Sequence, residues 1–270
     1  MDGILADEKI PEKTGALKLD VVYPMSMMSR RRDDSELRYS LRSLAAQPWA
    51  GNVYVIGHKP SWLRNAIHIQ YPDQWELNSK DKNIIKKMLR ACADPRISDP
   101  FVANSDDQYW LAPIDPKDMI YPPREVPGQM DRAGAVRGPH GPFRNRWIKR
   151  QFETVAFLKK MGRSQIRFDG HCPYLINKMK YMRTMAEIPW EIGEGFLIVV
   201  YHGWNFDADR NGYNIESRDG VLSRIKKEMT RTEIEERTNK ALFMNHNDKA
   251  LGAGMREFLQ GRFPNPSRWE

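Results

Sequence analysis

The stretch Phe101–Pro113, FVANSDDQYWLAP, sets the tightest limit on what this chain can become. Phe101, Val102 and Ala103 are a short apolar run of the kind that fills a buried strand. The run ends in Asn104, Ser105, Asp106, Asp107 and Gln108 before Tyr109, Trp110 and Leu111 resume an apolar pattern. Two adjacent carboxylates at the end of a buried strand repel one another, and their desolvation costs several kcal/mol unless something pairs with them. A divalent cation bridging to a diphosphate would supply that pairing through hard oxygen ligands. The plainer reading is that Asp106 and Asp107 cap a turn or a helix. Both readings stay open at this point.

The residues before this stretch predict a parallel sheet. Leu19–Tyr23 reads as a first strand, stopped by Pro24. A Met-rich loop carrying Arg30, Arg31 and Arg32 follows; it is either a phosphate contact or a solvated basic run. A helix opens at Asp34 or Ser35, with Leu37, Leu41 and Leu44 on one face and Arg38 and Arg42 sharing another. Asn52–Gly57 and Ala66–Gln70 read as strands, and Asn83–Cys92 as an amphipathic helix. Strand, helix, strand in this order predicts a βαβ unit and an α/β, doubly wound, mostly parallel sheet. Ligands of such sheets bind beyond the carboxyl ends of the strands. Asp106, Asp107 and the loop after Tyr23 lie there.

Residues 1–17 read as a flexible leader, and 18–270 as one catalytic domain. Within it, 113–146 is rich in proline, glycine and arginine, which predicts an irregular basic insertion, either a phosphate-clamping lid or a connector. Trp147–Lys160 reads as a helix, Ile166 as the centre of a short strand, and Leu175–Met185 as a helix. Phe196–Tyr201 reads as a buried strand, Ser223–Asn239 as a charged helix, Ala241–Met244 as a last strand and Gly254–Gln260 as a last helix. Polar clusters follow three of these features: Asn104–Asp107, His171 with its neighbours, and Asn245–Asp248. Each alone is as readily a turn or a structural histidine. Converging on one carboxyl edge, they would give metal ligands, a general base and hydrogen-bond donors.

The formal net charge is +8 and the pI about 9.4, which favours anionic partners. Cys92 and Cys172 have no metal-ligand spacing, so a reducing compartment is expected. The charged N-terminus has no apolar signal core, and no run reaches the roughly 18 apolar residues of a membrane span. A cytoplasmic location is the expectation.

Four blocks resemble the Stealth family of sugar-phosphate transferases, which includes bacterial capsular polysaccharide phosphotransferases and the lysosomal-enzyme N-acetylglucosamine-1-phosphotransferase. They are LDVVYPM at 19–25; SRRRDDSELRYSLRSLAAQPWAGNVYVIGHKPSWL at 29–63, with NSDDQYW at 104–110; GHCPYLINK at 170–178; and ALFMNHND with FLQGRFPNPSRWE at the end. The resemblance implies a GT-A-like nucleotide-sugar fold. It implies a divalent metal, manganese or magnesium, held by Asp106 and Asp107, and a uridine or cytidine diphosphate sugar as donor. By the same resemblance Asp107 and His171 would be catalytic. Tyr23, Arg38, Asn78, Ser79, Asp106 and Asn245 would place the donor. The fourth block departs from the family's Asn-Asp, reading Asn245-His246 with Asp248 two positions on.

Three functions follow as expectations. The first is transfer of a sugar or sugar-phosphate to an acceptor hydroxyl, on an anionic polysaccharide for example. The second is glycosyl transfer to hydroxymethylated bases of DNA, which requires the base to be flipped out, with Trp110, Trp147 or Trp204 available to stack. The third is a non-catalytic basic nucleic-acid-binding protein on a degenerate transferase fold.

Overall fold

The computed structural model describes residues 18–26, 35–77, 79–119, 146–163, 171–191, 200–206 and 221–270. The leader, Arg30–Arg32, Asp34, Asn78, most of the basic insertion, Ile166 and Phe196–Val199 lie outside the described residues.

The centre is β1 (Leu19–Met25), whose residues are buried on both faces. It pairs in parallel with β2 (Ala50–Gly57) on one side and β4 (Phe101–Ala103) on the other, and β2 pairs in parallel with β3 (Ile67–Ile69). β6 (Tyr174–Ile176) closes the far edge antiparallel to β4, giving the order β3-β2-β1-β4-β6. Alternate residues sort to opposite faces. Val22, Tyr54, Ile56, Phe101 and Ala103 pack with Ile85 and Met88 of α2 (Lys80–Ala93). Val21, Tyr23, Val53, Val55 and Val102 pack with Leu37, Leu41 and Leu44 of α1 (Ser35–Leu44). Helices on both faces of a mostly parallel sheet make the molecule a doubly wound mixed α/β protein, as the sequence predicts. The strand order reverses between β1 and β4, so the crevice at their carboxyl ends is the switch point where ligands of such sheets bind.

The chain leaves this sheet at Asp106–Asp107 and enters a second one. There β5 (Gln108–Trp110) pairs antiparallel with β8 (Phe243–His246), which pairs in parallel with β7 (Leu222–Ile225). The remaining α-helices among the described residues are α3 (Arg146–Lys160), α4 (Lys178–Glu187), α5 (Val200–Asn205), α6 (Arg231–Thr238) and α7 (Ala253–Arg262). The last residues return to α1. Arg42 donates two hydrogen bonds of 2.8 Å to the Glu270 carboxylate and Arg38 a third of 2.8 Å, while the Trp269 ring is buried. No helix among the described residues is long and apolar enough to cross a membrane.

Five expectations are corrected. Pro24 does not stop the first strand: β1 runs through it to Met25, with Pro24 in register with Ile56 and Met25 with Gly57. The helix from Leu175 is strand β6 followed by α4, because Tyr174 and Ile176 enter the core and the Asn177 side chain caps the helix by accepting from Lys180 N at 2.9 Å. The helix from Ser223 is strand β7 followed by α6. Thr230 and Glu233 form a reciprocal capping box that starts this helix late. Val200 and Tyr201 are helical rather than the end of a strand. The last strand runs two residues further than Ala241–Met244, reaching His246.

Candidate active site

Asn104 continues β4 by donating its backbone N–H to Val22 O at 3.0 Å. The next four residues form a tight turn: Gln108 N donates to Ser105 O at 3.2 Å, and Ser105 N donates to Asn104 Oδ1 and Gln108 Oε1 at 3.0 and 3.1 Å. Asp106 and Asp107 are its two central residues. The two readings of the pair therefore meet: the carboxylates form a turn, and the turn stands at the switch point.

A buried relay braces the turn from below. Asn104 Nδ2 donates to the Tyr23 hydroxyl at 2.8 Å, Tyr23 lies 3.0 Å from Ser40 Oγ, and Ser40 donates to Gln108 O at 2.7 Å. Burial raises the Tyr23 phenol, against the Ser40 and Asn104 hydrogen bonds, so it stays neutral. Tyr23 is fully buried and acts on the site through Asn104 rather than by touching a donor.

His171 comes from the start of β6. Because β6 runs antiparallel to β4, the start of one lies beside the end of the other, and His171 Nε2 sits 3.0 Å from Asp107 Oδ2. The backbone of His171 is left-handed, with φ +45°, a conformation that costs a non-glycine residue about 1–2 kcal/mol. Asn245 holds it there by donating Nδ2 to His171 O at 2.6 Å. Asn245 is placed by β8, opposite Gln108.

The two carboxylates differ in proton affinity. Burial and the neighbouring Asp107 charge push Asp106 up to about 6, against Lys80. Burial also pushes Asp107 up, but the His171 charge and hydrogen bond, with Lys80 and His246, outweigh it and hold Asp107 at about 2. Lys80 is the first residue of α2, brought to this edge by the Ser79 cap, whose side chain accepts from Lys82 N at 3.4 Å. Burial lowers the Lys80 ammonium, and Asp107 and Asp106, then Asp81 and Asp248, raise it by more. Sequence reasoning missed Lys80. The available signal was the cap at Ser79, which starts a helix of a parallel unit at the carboxyl edge of the sheet.

The structure thus brings Asp106, Asp107, His171 and Asn245 together, with Lys80 within electrostatic reach of the two carboxylates. His246 lies behind them, buried, stacked on Tyr109 and 2.9 Å from its hydroxyl. Ser79 is a helix cap. Arg38 is engaged elsewhere, with Glu270 at 2.8 Å and with its guanidinium 4.3 Å from the Trp62 ring centre. Asn78 lies outside the described residues. Of the tryptophans considered for stacking on a base, Trp110 and Trp204 are core residues.

Among the described residues no group of three or more His, Cys, Asp or Glu side chains is arranged to hold a metal ion. Two adjacent carboxylates nevertheless fit a substrate-bridged magnesium or manganese, which takes one or two carboxylates and completes its shell with phosphate oxygens and water. The raised pKa of Asp106 is a second sign of fit, because a bound cation would offset both the burial and the Asp107 charge that raise it.

No family model and no curated protein matches the chain, so the likeness to the Stealth family stands on its quoted motifs. Among solved structures, the chain is similar to a mutant of Drosophila β-1,4-galactosyltransferase 7 in complex with manganese, UDP-Gal and xylobiose. The identity is 12%, the match covers 90% of this chain and 98% of that one, and the TM-score is 0.22, too low to carry an argument about fold or function.

Proposed function

We propose that this chain is a metal-dependent transferase that moves a sugar or sugar-phosphate from a nucleotide-sugar donor to an acceptor hydroxyl. One observation carries the reading: an aspartate pair at the switch point of a parallel sheet, with His171 Nε2 3.0 Å from the Asp107 carboxylate and Lys80 within electrostatic reach of both carboxylates.

Asp106 and Asp107 would hold the cation, which when bound would neutralise charge on the donor diphosphate. Lys80 places a second positive charge at the same edge, where it would meet a phosphate oxygen of the donor. His171 is oriented twice, by Asp107 on its ring and by Asn245 on its carbonyl. The His171 ring would take up the proton of the acceptor hydroxyl, and the Asp107 carboxylate, 3.0 Å from Nε2, would stabilise the resulting imidazolium. The Stealth-like motifs support sugar-phosphate transfer, in which the bond between the two donor phosphates breaks.

The test is product analysis. The protein is incubated with manganese or magnesium, a panel of nucleotide sugars, and either a polysaccharide fragment or DNA carrying hydroxymethylated bases. The released nucleotide is then identified by mass spectrometry. A nucleoside monophosphate means sugar-phosphate transfer, and a diphosphate means glycosyl transfer. Release of neither from any donor would overturn the proposal.

A further inference from the structure

A pocket of about 200 Å³ opens beyond the carboxyl ends of β2 and β3, on the opposite side of β1 from the aspartate turn. Its wall includes a buried ion pair, Lys87 with Asp73, whose side chains are 1% and 3% exposed. Lys87 also donates to Met25 O, and Ser26 Oγ donates to Asp73 Oδ2 at 2.7 Å. Gly57 permits this packing: a Cβ there would lie 2.2 Å from Met25 O and 2.9 Å from Lys87 Nζ, and its φ is +108°. His68 and Tyr71 add ring surfaces, with His68 Nε2 fixed 2.8 Å from Gly57 O.

The pair decides the ligand chemistry. Lys87 and Asp73 neutralise one another, so the buried part of the wall suits a neutral polar group, while the exposed Lys59 adds a positive charge to the lining. An ammonium has three N–H groups, and among the described residues Lys87 gives two of them to Asp73 and Met25. The third is a donor at the buried end of the wall, and a ring carbonyl is a neutral group that satisfies it without disturbing the pair. Helix α2 supplies the scale. Lys80 and Lys87 are seven residues apart, almost two full turns, so they share one side of the helix about 10.5 Å apart along its axis. Across the sheet, β2 and β4 are two strand spacings apart, about 10 Å. A nucleoside in the pocket would therefore direct its phosphates toward Lys80 and the aspartate turn.

We propose that this pocket is the nucleobase subsite of the donor, and that Lys87 selects a base with a ring carbonyl (uracil, cytosine or guanine) over adenine. The proposal rests on the transferase reading above and specifies its donor.

The test titrates the full chain with UMP, CMP, GMP and AMP, without metal, by calorimetry. At least one of the first three should bind tenfold or more tighter than AMP. The double variant Lys87→Met/Asp73→Asn avoids stranding a buried carboxylate and should lose that discrimination. His68→Ala, at an exposed side chain that does not threaten folding, should weaken the preferred nucleotide severalfold. Equal binding of AMP overturns the proposal. So does an unchanged preference in the folded double variant, or no binding of any nucleotide by the wild type. Base-selective binding without turnover of any nucleotide sugar would leave the subsite standing and remove the transferase reading instead.

Discussion

Asp106 and Asp107 occupy the middle of a turn whose hydrogen bonds leave neither residue room to withdraw. Replacing Asp107 by Ala should abolish turnover while leaving the circular dichroism spectrum and melting temperature close to wild type, because the turn is held by Asn104, Ser105 and Gln108. Normal activity in that variant would remove the central claim. His171 carries two separable demands, one on its ring and one on its backbone. His171→Asn keeps a residue that tolerates the left-handed conformation, so the fold should persist while turnover falls roughly 100-fold, the scale of a lost acid–base group. His171→Val should in addition lose about 1–2 kcal/mol of stability in urea unfolding, because a β-branched residue resists positive φ. At this scale the aspartates and His171 were legible, since each stands in a short polar break in an apolar pattern. Lys80 was not: its importance comes from carboxylates that are distant in sequence.

Among the elements, β2, α1 and α2 were legible because their period and length agree, and β4, though only three residues long, because a polar break closes it; β1 was legible except at its end, where it continues through Pro24. β6 and β7 are three and four residues long, too short for alternation to outweigh the helical spacing that follows each of them. The packing of the C-terminal tail on α1 was also illegible, because it depends on one carboxylate meeting two arginines some 230 residues away, at sequence separations of 228 and 232. Burial pushes the Glu270 carboxyl up, but the Arg42 hydrogen bond, the Ser267 backbone and Arg38 hold it at about 2, below its ordinary 4.5. Asp94 is held at about 2 chiefly by its hydrogen bond to Arg96, against burial. A depressed carboxyl contributes stability that is full above its unfolded pKa and is lost as pH falls through the folded one. Unfolding midpoints should therefore drop between about pH 4.5 and 2, and Glu270→Gln should flatten part of that slope while lowering stability at pH 7 by about 2 kcal/mol. An unaltered slope in that variant would assign the acid sensitivity to other groups.

For the whole molecule, the doubly wound architecture followed from the order of strands and helices, whereas the separate sheet β5-β8-β7 did not. β5 comes from a chain segment more than 100 residues from β7 and β8, and no local pattern records its pairing with β8. The two-carboxylate site carries a prediction at this scale. With so few protein ligands, manganese alone should raise the melting temperature little, and manganese with UDP should raise it by more than the separate shifts combined. A ligand at 100 times its Kd adds about 2.7 kcal/mol to the native state, which is readable by thermal shift. Additive shifts would argue against a shared cation. The antiparallel pairing of β6 with β4 has one more consequence, for how such a protein can change over generations. That pairing, together with the turn, fixes Asp107 beside His171 whatever the length of chain between Trp110 and His171. Changes of length in that interval can therefore accumulate while Asp107 and His171 keep their places beside one another.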